Sequence, residues 1–209
     1  HRVDRRQRQM CIRDSGNTPK AIPPWGGTQA LFGTNPIAFA SPRDSAVPLV
    51  IDMSLSKVAR GKVMVANQLN EKIPEDWAID KDGKPTTDAK KALEGAMLPI
   101  GDAKGSALAL MVEVLAAGLT GSNFGFEASS FLNAEGDAPG VGQLIIAIDP
   151  SFFSGESFGE RTETLVDAVL EQPGTRLPGD KRIEKRKVRE KSETITISKD
   201  LYEKIELLI

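Results

Sequence analysis

An α/β fold is what this sequence predicts, and three observations predict it. Two short apolar runs at 37–40 and 49–52 have the length of strands, and the second ends abruptly in Asp52, Met53 and Ser54. A stretch beginning near Lys104 is rich in alanine and apolar nearly all round, which is how a helix covered on most sides reads. The run LIIAI at 144–148 is continuously apolar over strand length, the pattern of a strand buried on both faces.

The elements follow in order. Residues 1–15 share no periodicity with what comes after, and the composition changes at Gly16, so they are expected to be a foreign or disordered leader. The segment MCIRDS within them resembles a translated adapter sequence of the kind found at the ends of gene fragments, which implies a truncated reading frame. A domain is expected over 16–172, opening with Pro23, Pro24 and a Gly26-Gly27 turn ahead of the first strand. After the second strand the pattern turns helical from Ser54 to about 69, with Ser54 or Ser56 as N-cap. Asp80 to Pro85 (DKDGKP) is turn chemistry, and Asp88 is placed to cap a short helix over 89–97. A loop rich in Gly and Ser fills 121–142, and Asp149-Pro150 closes the strand at 144–148. An amphipathic helix is expected over 162–170. The segment 173–209 holds a turn at Pro178-Gly179-Asp180, seven Lys or Arg between Lys181 and Lys191, an alternating strand at 194–197 and a last helix from Lys199.

Composition narrows the function. A net charge of -2 and 5% aromatic residues give no pull toward nucleic acid or an anionic membrane. The apolar stretch 107–119 is interrupted by Glu113 and is shorter than the roughly 20 residues of a membrane span. The arginines at 2, 5, 6, 8 and 13 have no apolar segment beside them, which excludes a secretory signal. One cysteine and one histidine, His1, make neither a disulfide nor a structural zinc site, and the usage suits a reducing cytoplasm.

No general catalytic motif is present, so the candidates are positional. Asp52 ends a strand, where a carboxylate accepts hydrogen bonds from a ribose or substrate hydroxyl; an Asx turn or helix cap explains it equally well. Lys104-Gly105 opens the buried helix, where free N–H groups and a cation suit a phosphate or carboxylate; the alternative is a lysine snorkelling from a helix end. Gly179, Asp180 and Lys181 form a turn with cations nearby, either an anion site or a solvated face.

Taken together, GGTQALFGTNPIAFA, VIDMS, IPEDWAIDKDGKPTTD, the Lys104-Gly105 helix start and GQLIIAIDP resemble the malate/L-lactate dehydrogenase family of NAD(P)H-dependent 2-oxoacid reductases, over about 17–179. The resemblance implies a non-Rossmann NAD(P)-binding domain with a mixed sheet and packed helices, followed by the C-terminal tail. It implies a cytoplasmic homodimer binding NAD or NADP and a small 2-oxoacid or 2-hydroxyacid of malate, lactate or sulfolactate type, with no nucleic acid, membrane or metal. Carried over motif by motif, cofactor contacts fall on Thr18, Asp52, Met53, Ser54, Lys104, Gly105, Gly179, Asp180 and Lys181. The family's Ser-His-Gly and Gly-His-Ser segments have no counterpart here, so no catalytic residue is assigned and the chain is expected to be a fragment, inactive alone. The alternatives are a cyclic imine (piperideine-2-carboxylate) reductase and a non-catalytic binding protein on the same scaffold.

Overall fold

The computed structural model describes residues 10–44, 47–133, 135–192, 194–197 and 199–207. Four strands form the main sheet: β1 (Cys11–Gly16), β2 (Ile37–Ser41), β3 (Leu49–Met53) and β6 (Gln143–Ile148). Their order is β3-β2-β1-β6, and every neighbouring pair runs antiparallel, where a mixed sheet was expected. Between β3 and β6 in the chain, β4 (Ala78–Ile79) and β5 (Ala96–Met97) make a separate two-stranded ladder.

The leader expectation is corrected for its last residues. Cys11–Gly16 is an inner strand, paired from Ile12↔Ala40 to Ser15↔Ile37 on one side and from Cys11↔Ile148 to Gly16↔Gln143 on the other. Composition concealed it because the strand buries only Cys11 and Ser15, while Arg13 and Asp14 lie at partly open positions. Residues 1–9 lie outside the described residues.

The expectation of a strand covered on both faces fails at β6. This edge strand leaves Ile145 61% exposed, Ile146 39% and Ile148 38%. An apolar run states that a strand is fit to be covered; its cover is not among the described residues.

The helices are α1 (Arg60–Gln68), α2 (Ala89–Glu94), α3 (Ala103–Val112), α4 (Ser151–Ser154), α5 (Ser157–Leu170), α6 (Asp180–Glu190) and α7 (Lys199–Glu206). Asp88 caps α2 as the sequence predicts, its carboxylate accepting the amides of Lys90 and Lys91 at 2.9 and 3.1 Å. The helix expected from Ser54 starts only at Arg60, behind Ala59 as N-cap. Residues 54–57 stay extended because they pair with 98–100: Lys57 donates to the Leu98 carbonyl and Ile100 to that of Leu55, both at 2.8 Å. Ser54 and Ser56 therefore bond each other (3.1 Å) instead of capping a helix. The segment 194–197 forms no strand.

The core lies where α1, α2 and α3 meet the small ladder. Ile22, Leu55, Val63, Met97 and Val112 are almost wholly buried, interleaved with Ala89, Ala92, Ala109 and Ala116. Each large apolar side chain contributes about 1.5–3 kcal/mol by leaving water, and the alanines let the helices approach closely.

Helix α5 is held by Val166, 2% exposed, and by a fork between Arg43 and Glu163. Arg43 Nε donates to Glu163 Oε1 at 3.0 Å and Nη2 to Oε2 at 2.6 Å. That bond holds the Glu163 carboxyl below the ordinary carboxylate range. A depressed folded pKa means that the contribution is complete above the ordinary value and is lost as the pH falls through the lowered one. Glu163→Gln is therefore expected to lower Tm at pH 7. The gap from the parent should close as the pH is taken below about 4; thermal unfolding followed by circular dichroism across that range checks it.

Candidate functional site

The site begins with Glu113, the single charged residue of the apolar stretch 107–119. After Val112, α3 widens into one π-helical turn, Glu113–Gly118, an irregularity that recurs at functional positions. Glu113 is 3% exposed and its carboxyl group is fully engaged. Oε1 accepts the Gly33 amide (3.0 Å) and Asn35 Nδ2 (2.8 Å), while Oε2 accepts the Gly125 amide (3.0 Å) and Asn17 Nδ2 (3.4 Å).

These bonds fix a loop that has no regular structure of its own. Asn35 is fully buried with φ 41°, a left-handed conformation uncommon outside glycine. Its side chain accepts the Thr18 amide (3.2 Å) and donates to the Ala109 carbonyl (2.9 Å). At Gly33 a Cβ would collide with the Thr18 carbonyl and the Asn35 side chain, so the two segments touch only because this residue is glycine.

Thr18 and Thr34 consequently stand together. The Thr34 amide donates to Thr18 Oγ1 at 2.9 Å, and the two hydroxyl oxygens are 3.3 Å apart. From Thr34 the contacts continue without a break. Its carbonyl accepts the Leu55 amide (2.7 Å) and the Leu55 carbonyl accepts the Ile100 amide (2.8 Å). The Ile100 carbonyl lies against Gly105, leaving no room for a Cβ there. Thr18 and the Lys104-Gly105 helix start are thus linked through the buried backbone of Leu55, the residue that follows Ser54.

A cavity of about 330 Å³ opens beside the two threonines, with Lys20, Ala21, Arg60 and Phe131 among its walls. Arg60, the first residue of α1, is half-buried. Its Nη2 donates to the Leu93 carbonyl at 3.1 Å, and its Nε is buried without an acceptor. Burial pushes the guanidinium pKa down. Among the described residues no Asp or Glu lines the cavity. Two cations and several hydroxyls converging on a concave space are suited to a small carboxylic acid. Sequence reading missed Arg60, Lys20 and Thr34. Arg60 gives no local signal, since the carbonyl that anchors it lies 33 residues away.

The other predicted positions gather at the edge of the sheet. Asp52, opposite Ala38 in the β2–β3 register, is exposed and pairs with Arg182 of α6 at 3.3 Å. Met53 ends β3 opposite Ile37. Gly179 takes φ 90° at the start of α6, and a Cβ there would lie 3.5 Å from the Val50 carbonyl, so this turn abuts β3. Asp180 is already engaged, accepting the Leu177 amide at 2.8 Å. Lys181 lines an exposed basic groove of about 570 Å³ with Arg182, Lys185, Arg186 and Arg189. Because β3 runs through Met53 and Ser54 into Leu55, the Asp52–Arg182 pair and the threonine wall are joined by a few residues of one segment. Among the described residues no group of three or more His, Cys, Asp or Glu is arranged to hold a metal, and no helix is long and apolar enough to cross a membrane.

Comparison with known proteins places the chain in a family. The family model described as malate/L-lactate dehydrogenase matches residues 8–206. A (2R)-3-sulfolactate dehydrogenase (NADP(+)) from Chromohalobacter salexigens is 56% identical over 189 residues, 90% of this chain and 56% of the relative. A Delta(1)-pyrroline-2-carboxylate/Delta(1)-piperideine-2-carboxylate reductase from Pseudomonas putida is 42% identical over 193 residues, 92% of this chain and 57% of the relative. Among solved structures, the delta1-piperideine-2-carboxylate reductase of Pseudomonas syringae superposes with a TM-score of 0.86 at 39% identity, covering 98% of this chain and 61% of that one. The sulfolactate dehydrogenase of Methanocaldococcus jannaschii does so with 0.81 at 38%, covering 95% and 58%. The chain spans a little over half the length of the curated relatives it matches. On the match over 8–206 and these identities, the chain belongs to the malate/L-lactate dehydrogenase family.

Proposed function

We propose that the chain is the cofactor- and acid-binding part of an NAD(P)-dependent oxidoreductase acting on a small 2-oxoacid or 2-hydroxyacid of malate, lactate or sulfolactate type. The observation that carries this reading is the unbroken line of contacts from the cationic cavity to the first turn of α3. Through the buried Leu55 backbone it ties the wall of the pocket to the helix start bearing Lys104 and Gly105, which supports one site for acid and cofactor.

The residues fit a nicotinamide dinucleotide. An exposed strand-end carboxylate, Asp52, with an arginine beside it is a chemistry suited to an adenosine ribose or its 2′-phosphate. The N-terminus of α3 favours negative charge, which suits a diphosphate held near Lys104. When bound, the cofactor supplies a hydride from nicotinamide C4. The chain's own part is to bind and orient: Arg60 holds the substrate carboxylate, the Thr18 and Thr34 hydroxyls bond its oxygens, and Phe131 with Leu132 gives the cavity an apolar wall. The only histidine is residue 1, and we assign the proton donor for the carbonyl oxygen to no residue of this chain.

The cyclic imine reading has its own support in the pyrroline- and piperideine-carboxylate reductases among the relatives, since one guanidinium holds the carboxylate of either substrate. We further propose a cytoplasmic homodimer, for which the uncovered apolar face of β6 and the exposed Phe152 and Phe153 offer a contact.

Titrating the chain into NADPH and following nicotinamide fluorescence tests the reading. Saturable binding is expected, tightened by a 2-oxoacid or by piperideine-2-carboxylate, with the tighter partner choosing between the two substrates. NADPH fluorescence unaltered by stoichiometric chain would refute it.

A further inference from the structure

The cavity holds a second cation that a monocarboxylate leaves unused. Arg60 is anchored on its inner wall by the Leu93 carbonyl, and one carboxylate matches one guanidinium. Lys20 lines the same cavity but is exposed. Its backbone is pinned, with the amide donating to the Gly125 carbonyl at 2.8 Å, and Gly125 is itself held by Glu113. The lysine stem therefore leaves from a fixed point. Among the described residues its ammonium has no ion-pair partner. Among the described residues no carboxylate lines the cavity to neutralise it, while Thr18, Thr34 and Ser130 add hydroxyls to its lining.

We propose that Lys20 makes this cavity selective for 2-oxoacids and 2-hydroxyacids that carry a second anionic group, a sulfonate or carboxylate on C3, over monoanions such as lactate or a cyclic imino acid. This rests on the reading that the cavity holds the substrate acid. A dianion meets Arg60 with its C1 carboxylate and Lys20 with its C3 anion. A monoanion leaves the ammonium hydrated at the rim and gains nothing from it. Because the ammonium is exposed, its attraction is screened by salt over a Debye length of about 10 Å at 0.1 M, so the preference for dianions shrinks as ionic strength rises.

The test is calorimetric binding of 3-sulfolactate and malate, as dianions, and of lactate and piperideine-2-carboxylate to the whole chain, to Lys20→Met and to Lys20→Arg. Lys20 is exposed, so both variants keep the fold, which circular dichroism checks. The parent is expected to bind the dianions about tenfold more tightly than lactate, one charge-assisted hydrogen bond's worth. Lys20→Met should bring that ratio to about one, and Lys20→Arg should restore it. A parent ratio near one, or an unchanged ratio in Lys20→Met, overturns the proposal while leaving the acid-binding reading standing. Failure of every acid to bind overturns both.

Discussion

Glu113→Ala is expected to destabilise the chain by about 4 kcal/mol, because it leaves the Gly33 and Gly125 amides buried without their acceptor, at about 1–3 kcal/mol for each buried group left unpaired, and reduces Asn35 Nδ2 to its bond with the Ala109 carbonyl. Domains of this kind are held by only about 5–15 kcal/mol in all, so the variant should be partly unfolded at physiological temperature. Glu113→Gln separates charge and geometry from volume. The isosteric amide fills the same space, but its NH2 must face one pair of donors, and about 2 kcal/mol is the expected loss. The consequence for the site is specific: with Gly33 and Asn35 released, the Thr18 and Thr34 hydroxyls lose their register. The folded fraction of Glu113→Gln should therefore bind 2-hydroxyacids more weakly than the parent. Urea denaturation with calorimetric binding reads both effects. A Glu113→Ala midpoint within 1 kcal/mol of the parent would show that the hub does not organise the loop.

The second large effect concerns binding and leaves stability nearly untouched. Arg60→Met keeps the aliphatic stem that packs at the start of α1 and removes the guanidinium. It removes both a buried Nε that has no acceptor and the Nη2 donor to the Leu93 carbonyl, two effects of opposite sign, so thermal stability should change by no more than about 1 kcal/mol. Affinity for any 2-hydroxyacid should fall about a hundredfold, the weight of a desolvated charge-assisted pair. Arg60→Lys should recover part of it, since an ammonium supplies the charge without the planar fork. Undiminished acid binding by Arg60→Met would remove the cavity from the account.

What could be read in advance follows the range of the forces involved. The strands at 37–40 and 49–52 and the Asp88 cap were legible because each depends on residues within a few positions of itself. The strand Cys11–Gly16 was not, since a polar strand between two partners owes its existence to Ala38, Ala40, Ala147 and their neighbours far along the chain. The extended segment 54–57 misled for the same reason: helical spacing was present locally, but hydrogen bonds to 98–100 prevailed. Within the candidate site, Asp52 and Lys104 were chosen because they end a strand and begin a helix. Asp180 was chosen on the same logic, yet its carboxylate accepts the Leu177 amide of its own turn. Glu113 did carry a signal, the one charged residue in the apolar stretch 107–119, whose meaning needed four donors from three separate segments.

Mapping bound ligands by two-dimensional amide NMR on this 22.5 kDa chain tests the central claim most directly. With a 2-hydroxyacid, saturable shifts are expected at Thr18, Lys20, Thr34 and Arg60; with NADPH, at Asp52, Ser54, Lys104 and Gly105. Shifts confined to the basic face of α6, or no saturable shifts with either ligand, would contradict the account.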